Sequence, residues 1–182
     1  MARLVKSTPY AVLEVNHLVA KKTGAIKAQH ELDSTDFADI KAENGMLLVV
    51  DEVGRKVNLP KTGKEVVMLH FSAEKRYDDH KNDLGQFALS VGESYPRLYA
   101  LAIGDTFTTN AVDMGTYTVE TIDAAIVAGA VYGTAGTDGY IHLANAPVEG
   151  AAVQLQAIKW TTMPNGDPGI KFAVIAPTPA TV

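Results

Sequence analysis

Residues 163–169 place two turn-forming motifs between stretches rich in β-forming residues. The segment reads Met-Pro-Asn-Gly-Asp-Pro-Gly, and the apolar-rich stretches 153–160 and 170–175 flank it. Pro-Asn-Gly and Asp-Pro-Gly are typical of tight turns, because proline presets φ and glycine accepts positive φ. The pattern therefore predicts a β-hairpin and indicates a protein built from β-sheets.

Further strand signals recur along the chain at intervals of about 8 to 12 residues, with glycine, proline, asparagine and aspartate between them. Residues 65–72 alternate apolar and polar side chains, the period that gives a strand one inward face. Hairpins are predicted over 46–59 and 99–110, and another strand over 140–143. We predict a mainly β fold, an antiparallel sandwich or barrel with one or two short helices.

Helix signals occur in three segments. Capping residues at 33–36 and a glycine at 45 predict a short helix over 35–44. Over 115–132, apolar side chains at positions 119, 122 and 126 suit one helix face, whereas the composition equally suits two strands, 115–122 and 126–132. Residues 12–27 also leave helix and strand open.

Charge divides the chain unevenly. Residues 1–30 carry five basic residues against Glu14 alone, whereas the remainder carries 11 basic and 20 acidic residues. We predict a basic N-terminal arm at 1–30, a β-rich subdomain at 31–95, a second β subdomain at 96–176 and an extended tail at 177–182. One continuous domain is the alternative to two subdomains.

The basic arm is a candidate contact surface. It could dock on an acidic neighbour, such as another copy of the chain, or form an ordinary solvated surface. The single tryptophan could pack in the core or anchor an interface. The hypothesised partner contacts are Arg3, Lys6, Lys21, Lys22, Lys27 and Trp160.

Composition excludes several classes of function. The chain has no cysteine, which excludes disulfides and thiolate chemistry. A net charge of −5 argues against sequence-independent binding of nucleic acid. The longest apolar stretch, 124–132, falls far short of the roughly 18 residues that span a bilayer, and the N-terminus has no secretory apolar core. We expect a soluble protein that contacts no membrane.

No motif for catalysis or cofactor binding stands out. The polar run 78–83 lacks the spacing of a calcium loop, and the five histidines form no paired zinc motif. No serine lies in a Gly-x-Ser-x-Gly elbow, and the glycine-rich stretch 129–136 has no phosphate-binding pattern. We therefore predict no enzyme activity, no cofactor and no metal.

Three segments together resemble the auxiliary structural proteins of tailed-phage heads. They are Gly-Asp-Thr-Phe-Thr-Thr-Asn at 104–110, Gly-Thr-Ala-Gly-Thr-Asp-Gly-Tyr-Ile at 133–141, and Lys-Trp-Thr-Thr-Met-Pro-Asn-Gly-Asp-Pro-Gly-Ile-Lys-Phe at 159–172. The segments cover the C-terminal half, whereas the N-terminal half matches only in general style. The third segment carries most of the resemblance.

The resemblance implies a virion structural protein, made in the host cytoplasm and built into the capsid. It implies a decoration or cement subunit that binds the major capsid protein and copies of itself, present as a homo-oligomer in many copies per particle. A phage surface module for carbohydrate binding or host attachment is the alternative. A small hydrolase with a dispersed active site is a third hypothesis.

Overall fold

The chain folds as a mainly β protein with two short helices, which confirms the predicted fold class. The structure is a computed structural model, and it describes residues 3–4, 6–72, 84–151 and 153–177. The described strands are β1 Leu13–His17, β2 Ile26–Lys27, β3 Glu31–Leu32, β4 Ala42–Glu43, β5 Leu47–Asp51, β6 Lys56–Asn58, β7 Val67–His70, β8 Ala88–Leu89, β9 Leu98–Tyr99, β10 Thr106–Thr109, β11 Val112–Asp113, β12 Tyr132–Ala135, β13 Ile141–Ala144, β14 Val153–Thr162 and β15 Pro168–Pro177. The helices are α1 Val19–Thr23 and α2 Val119–Val127, and Leu84–Gln86 forms a 3-10 turn.

The strands form two main sheets. The large sheet has seven strands in the order β1-β10-β15-β14-β12-β13-β11. The small sheet has six strands in the order β2-β9-β7-β5-β6-β3, and β4 pairs with β8 in a separate ribbon. Pairing is antiparallel except between β11 and β13 and between β3 and β6. Apart from β1, the large sheet is built entirely from the C-terminal half.

The large sheet curls strongly. Strands β10 and β11 stand five strand positions apart in it, yet only Asn110 and Ala111 separate them along the chain. In a flat sheet they would lie about 24 Å apart. The chain from Thr109 to Val112 reaches about 11 Å at most. The sheet therefore rolls toward a barrel and brings its two edges close together.

The two sheets pack face to face. Leu47 and Leu69 of the small sheet share one buried cluster with Phe107 and Phe172 of the large sheet. The opposite face of the small sheet is covered by a second buried cluster that includes Phe37, and β5 contributes Leu48 to it. The central strands of the small sheet are therefore buried on both faces. The alternation of apolar and polar residues in 65–72 predicts a strand with only one buried face.

Several predicted elements are confirmed. The C-terminal hairpin is β14 and β15, ten residues each. The hairpin over 46–59 is β5 and β6, and the strand over 140–143 is β13. In the open segment 115–132, helix α2 forms, with Ile122 and Ile126 buried on its inner face. Residues 12–27 hold both a strand, β1, and a helix, α1.

The predicted helix over 35–44 is wrong. Asp33 Oδ1 accepts hydrogen bonds from the N–H groups of Thr35 and Asp36, and the chain then turns into β4. The Asp33 carboxylate oxygen, which the sequence suggested as a helix cap, instead stabilises a turn. No helix follows it, because the chain continues into β4, which pairs with β8.

The predicted hairpin over 99–110 is also wrong. Strand β9 belongs to the small sheet and β10 to the large sheet, so the turn at 102–105 carries the chain between sheets. Turn residues mark a change of direction and do not determine which strands pair.

The segment 1–30 contributes to both sheets. Strand β1 pairs with β10, strand β2 pairs with β9, and Leu4, Leu13 and Leu18 are buried in the shared cluster. The division into arm and subdomains stays a prediction. Most of the tail 177–182 and the whole run 78–83 lie outside the described residues.

Candidate functional site

Three aspartates of the large sheet and its turns bind the N-terminal segment. Each comes from a different one of the segments 104–110, 133–141 and 159–172. Asp105 and Asp167 are buried, and the Asp138 side chain is 22% exposed. Together they contact Arg3, Ser7, Thr8 and Val19 of the N-terminal segment, where the predicted partner contacts Arg3 and Lys6 lie.

Asp105 holds the start of α1. Its Oδ1 accepts the Val19 N–H at 2.8 Å, and its Oδ2 accepts the Ala102 N–H at 2.9 Å. Helix α1 has no side-chain cap of its own at Leu18. The carboxylate therefore caps α1 from a distant part of the chain, where a negative charge complements the helix dipole.

Asp167 holds residues 7 and 8 against the tip of the C-terminal hairpin. Its Oδ1 accepts the Ser7 N–H at 2.6 Å, and its Oδ2 accepts Asn165 Nδ2 at 3.0 Å. Thr8 Oγ1 lies 3.4 Å and Asn110 Nδ2 lies 3.5 Å from the same Oδ2. Burial acts to raise the pKa of Asp167, but these hydrogen bonds hold the pKa below its ordinary value of 3.8.

Asp138 faces both Arg3 and His142. Its Oδ1 lies 2.9 Å from His142 Nε2 and accepts the Tyr140 N–H at 3.1 Å, while Arg3 Nη2 lies 3.7 Å from Oδ2. Burial opposes ionisation of Asp138, yet the hydrogen bond with His142 keeps the pKa of the carboxyl below its ordinary value. The same hydrogen bond raises the pKa of His142.

Arg3 and Lys6 meet at Tyr140. The Arg3 guanidinium stacks 3.9 Å from the centre of the Tyr140 ring. The Tyr140 hydroxyl donates to Glu43 Oε1 at 2.6 Å, and Lys6 Nζ and the Ala11 N–H donate to Oε2, each at 2.6 Å. Burial, followed by the charge of Glu43, raises the pKa of Tyr140. These two cations are therefore satisfied within the chain.

A cavity of about 520 Å³ opens beside this cluster. Its lining includes Arg3, Tyr10, Lys41, Glu43, Leu59 and Tyr140. Lys41 Nζ lies 5.4 Å from the centre of the Tyr10 ring, and Arg3 covers Tyr140. Cations therefore already occupy faces of both tyrosine rings at the cavity.

The other predicted contacts are spread over the molecule. Lys27 pairs with Glu52 at 2.7 Å, and Lys21 lies 5.4 Å from the centre of the Phe71 ring. Trp160 is partly buried and packs against the shared core cluster. Lys22 is exposed at the end of α1. Of the six, Arg3 and Lys6 meet at one cluster and Lys21 and Lys22 are neighbours on α1, whereas Lys27 and Trp160 make separate contacts.

The turn 102–105 lies between α1 and β15. Asp105 accepts the Val19 N–H on one side, and the Gly104 N–H donates to Val174 O at 2.9 Å on the other. Ile103 in this turn is 68% exposed, and Ile175, which follows Val174 on β15, is 37% exposed. Lys21 and Lys22 are exposed in the last turn of α1. We call Lys21, Lys22, Ile103 and Ile175 the α1–turn surface.

Sequence reasoning did not identify a contact between His70 and Ser72, two residue types that also occur together in catalytic sites. His70 Nε2 lies 3.0 Å from Ser72 Oγ, and His70 Nδ1 lies 2.8 Å from the Glu43 carbonyl oxygen. The ring is completely buried, and burial lowers its pKa to about 4. Because Ser72 Oγ also accepts the Arg97 N–H at 2.9 Å, the pair is satisfied as part of the core.

The three aspartates were also missed. They lie inside the segments 104–110, 133–141 and 159–172, but nothing in the sequence marks them as partners of residues up to 160 positions away. The repeated placement of an aspartate at a predicted turn was the available signal, because turn aspartates commonly accept main-chain hydrogen bonds.

Comparison with protein-family models, curated proteins and solved structures found no match. Neither described helix is long and apolar enough to cross a membrane.

Proposed function

We propose that this chain is a capsid decoration subunit of a tailed phage, which binds the major capsid protein lattice and stabilises it. The subunit acts by adhesion in the assembled virion, together with copies of itself. The resemblance of the three C-terminal segments supports this proposal, and so do a mainly β fold and the exposed apolar and basic residues of the α1–turn surface.

The α1–turn surface is the observation that carries the proposal. Ile103 and Ile175 present apolar side chains to solvent at a position fixed by main-chain hydrogen bonds. Lys21 and Lys22 are exposed on α1, whose start is held by Asp105 of the same turn and whose first turn has no acidic residue. Such a surface fits a partner that is partly apolar and acidic, because apolar contact supplies affinity and complementary charge supplies orientation.

The anchoring of the N-terminal segment narrows the choice of docking residues. Arg3, Lys6 and Lys27 each lie close to a carboxylate of their own chain. Docking on a neighbour through these three would first break an internal contact. We therefore assign the primary contact to Lys21 and Lys22, which are both exposed, although the Lys21 ammonium also lies 5.4 Å from the centre of the Phe71 ring.

The test is binding to purified phage heads that lack this protein. Wild-type protein should add in stoichiometric amounts and raise the temperature at which the heads rupture. The double variant Lys21→Glu/Lys22→Glu and the single variant Ile103→Asp should each weaken binding at least tenfold, since they reverse the charge or remove the apolar contact.

Two matched variants control for general effects of charge and hydrophobicity. Lys64→Glu changes another exposed lysine, and Val53→Asp changes a valine that is 96% exposed on the β5–β6 turn. Both should bind like the wild type. An unchanged rupture temperature after saturation with wild-type protein contradicts cementing.

The carbohydrate-binding alternative receives less support, because Arg3 and Lys41 lie over the tyrosine rings of the described cavity that would stack on a sugar. Saturable binding on a glycan array would favour it over the decoration proposal.

A further inference from the structure

Asp113, Asp138 and His142 converge at one end of the large sheet. Asp113 on β11 and His142 on β13 stand directly opposite each other in the parallel pair, so their side chains project from the same face. Asp138 lies in the turn before β13. One ligand atom from each residue lies within 4.8 Å of the other two.

Main-chain groups hold these side chains in place. The Gly115 N–H donates to Asp113 Oδ1 at 2.9 Å, and the Tyr140 N–H donates to Asp138 Oδ1 at 3.1 Å. Gly136 leaves room for the imidazole, since a Cβ at this position would overlap His142 Nε2. Outer contacts of this kind orient the ligands of metal sites before the ion arrives.

One ligand atom accepts no hydrogen bond. Asp138 Oδ2 is buried and has no hydrogen-bond partner among the described residues. Arg3 Nη2, at 3.7 Å, forms an ion pair with it but is too distant for a hydrogen bond. Buried carboxylate oxygens are nearly always satisfied by a hydrogen bond, water or an ion, so this atom can take a further partner.

We propose that Asp113, Asp138 and His142 form a binding site for a divalent transition-metal ion, with Zn²⁺ as the best fit. One imidazole and two carboxylates are a mixed nitrogen and oxygen set, which suits Zn²⁺ better than Ca²⁺ or Mg²⁺. Ligands of one Zn²⁺ ion lie about 4 Å apart or less, so a small inward movement of the side chains completes the site. Water fills the remaining position.

The ion would join strands β11 and β13 to the turn between β12 and β13. It would also compete with Arg3 for Asp138, because two cations cannot both approach Oδ2 without repulsion. Arg3 bridges to Asp113 through its main chain, so the ion would loosen only its side chain. The site thus couples metal binding to the position of a cation beside the Tyr140 cavity.

The test is calorimetric titration of the full chain with ZnCl₂ after treatment with EDTA, together with thermal unfolding. We expect one ion per chain and a rise in Tm of about 5 to 10 °C when free Zn²⁺ exceeds Kd a hundredfold. His142→Gln and Asp138→Asn should each weaken binding at least thirtyfold. Arg3→Gln should tighten binding severalfold, because it removes the cation that competes with the metal ion for Asp138.

His30→Gln is the matched control, since His30 lies 3.1 Å from the exposed carboxylate of Glu52 and should leave Zn²⁺ binding unchanged. If His142→Gln does not fold, broadening of the wild-type His142 ring resonances by Mn²⁺ provides the second measurement. An absence of binding, an equal response to Ca²⁺, or equal Zn²⁺ affinity of wild type and His142→Gln would each overturn the proposal.

Discussion

The Asp167 carboxylate accepts a hydrogen bond from the Ser7 main-chain N–H at 2.6 Å, although 160 positions separate the two residues. It links the tip of the C-terminal hairpin to the N-terminal segment. Asp105 and Asp138 make corresponding contacts to Val19 and Arg3. The segments 104–110, 133–141 and 159–172 thus share a structural task, which is to hold the N-terminal segment on the large sheet.

Asp167→Ala should lower the free energy of unfolding by about 2 to 3 kcal/mol. The change removes a buried charged acceptor and leaves Asn110 and Ser7 without it, and hydrogen bonds to charged groups are among the stronger ones. Urea unfolding followed by circular dichroism measures the effect. Asp123→Ala, on the exposed face of α2, is the control and should change stability by less than about 0.5 kcal/mol. Equal losses of unfolding free energy in Asp167→Ala and Asp123→Ala would contradict a stabilising role for the Asp167 contacts.

His70 should make stability depend on pH. Its folded pKa is about 4 against an ordinary value of 6.5, so between these values the unfolded chain binds the proton first. Stability is therefore lost as pH falls from about 6.5 to about 4, by about 3 kcal/mol from this group.

Urea unfolding at a series of pH values measures this loss. His70→Gln should flatten the slope in that window, whereas His17→Gln, whose side chain is 48% exposed, should retain it. If His70→Gln does not fold, titration of the wild-type ring by NMR checks the pKa directly. A midpoint near 6.5 would contradict the expectation.

Gly45→Ala should destabilise the fold by about 3 kcal/mol or more, because its φ is 93° and a Cβ would overlap Thr109 Oγ1. Gly92→Ala is the matched control. Its φ is 79° and nothing lies within 4 Å of the added Cβ, so we expect a cost of about 1 kcal/mol from strain alone. Thermal unfolding compares the two variants, and equal losses would exclude a tight approach between Gly45 and β10.

Trp160→Ala should lower the free energy of unfolding by about 2 kcal/mol, since the indole packs against the shared core while remaining partly exposed. Tyr95→Ala, at an aromatic residue that is 53% exposed, should cost less than about 1 kcal/mol. Unfolding of the isolated chain by urea separates these values. A negligible loss for Trp160→Ala would instead favour its role at an interface.

Local patterns predicted those parts of the fold that local forces determine. The β14–β15 hairpin depends on its turn residues and on neighbouring strands, and both are contiguous in the sequence. The predicted helix over 35–44 failed because pairing of β4 with β8, more than 40 residues away, outweighs a capping signal. The predicted hairpin over 99–110 failed because sheet assignment depends on contacts across the whole chain.

The candidate site was predictable in part. An excess of basic residues near the N-terminus pointed to acidic neighbours, and Glu43 and Asp138 are such neighbours for Lys6 and Arg3 within the same chain. Their identity could not be read from the sequence, because Lys6 and Glu43 are 37 positions apart and meet only after the sheets pack. Asp113 and His142 likewise come together only because β11 and β13 pair in parallel, and no local sequence motif predicts that pairing.

The curled sheet also constrains the order in which the protein matures on the ribosome. Strand β1 needs β10, and β10 in turn needs β15, which begins more than 150 positions after β1 ends. Strand β1 must therefore wait until that intervening chain has been translated before it reaches its final place. Until then, nascent chains expose Leu13 and its neighbours, and chaperones have their best opportunity to bind.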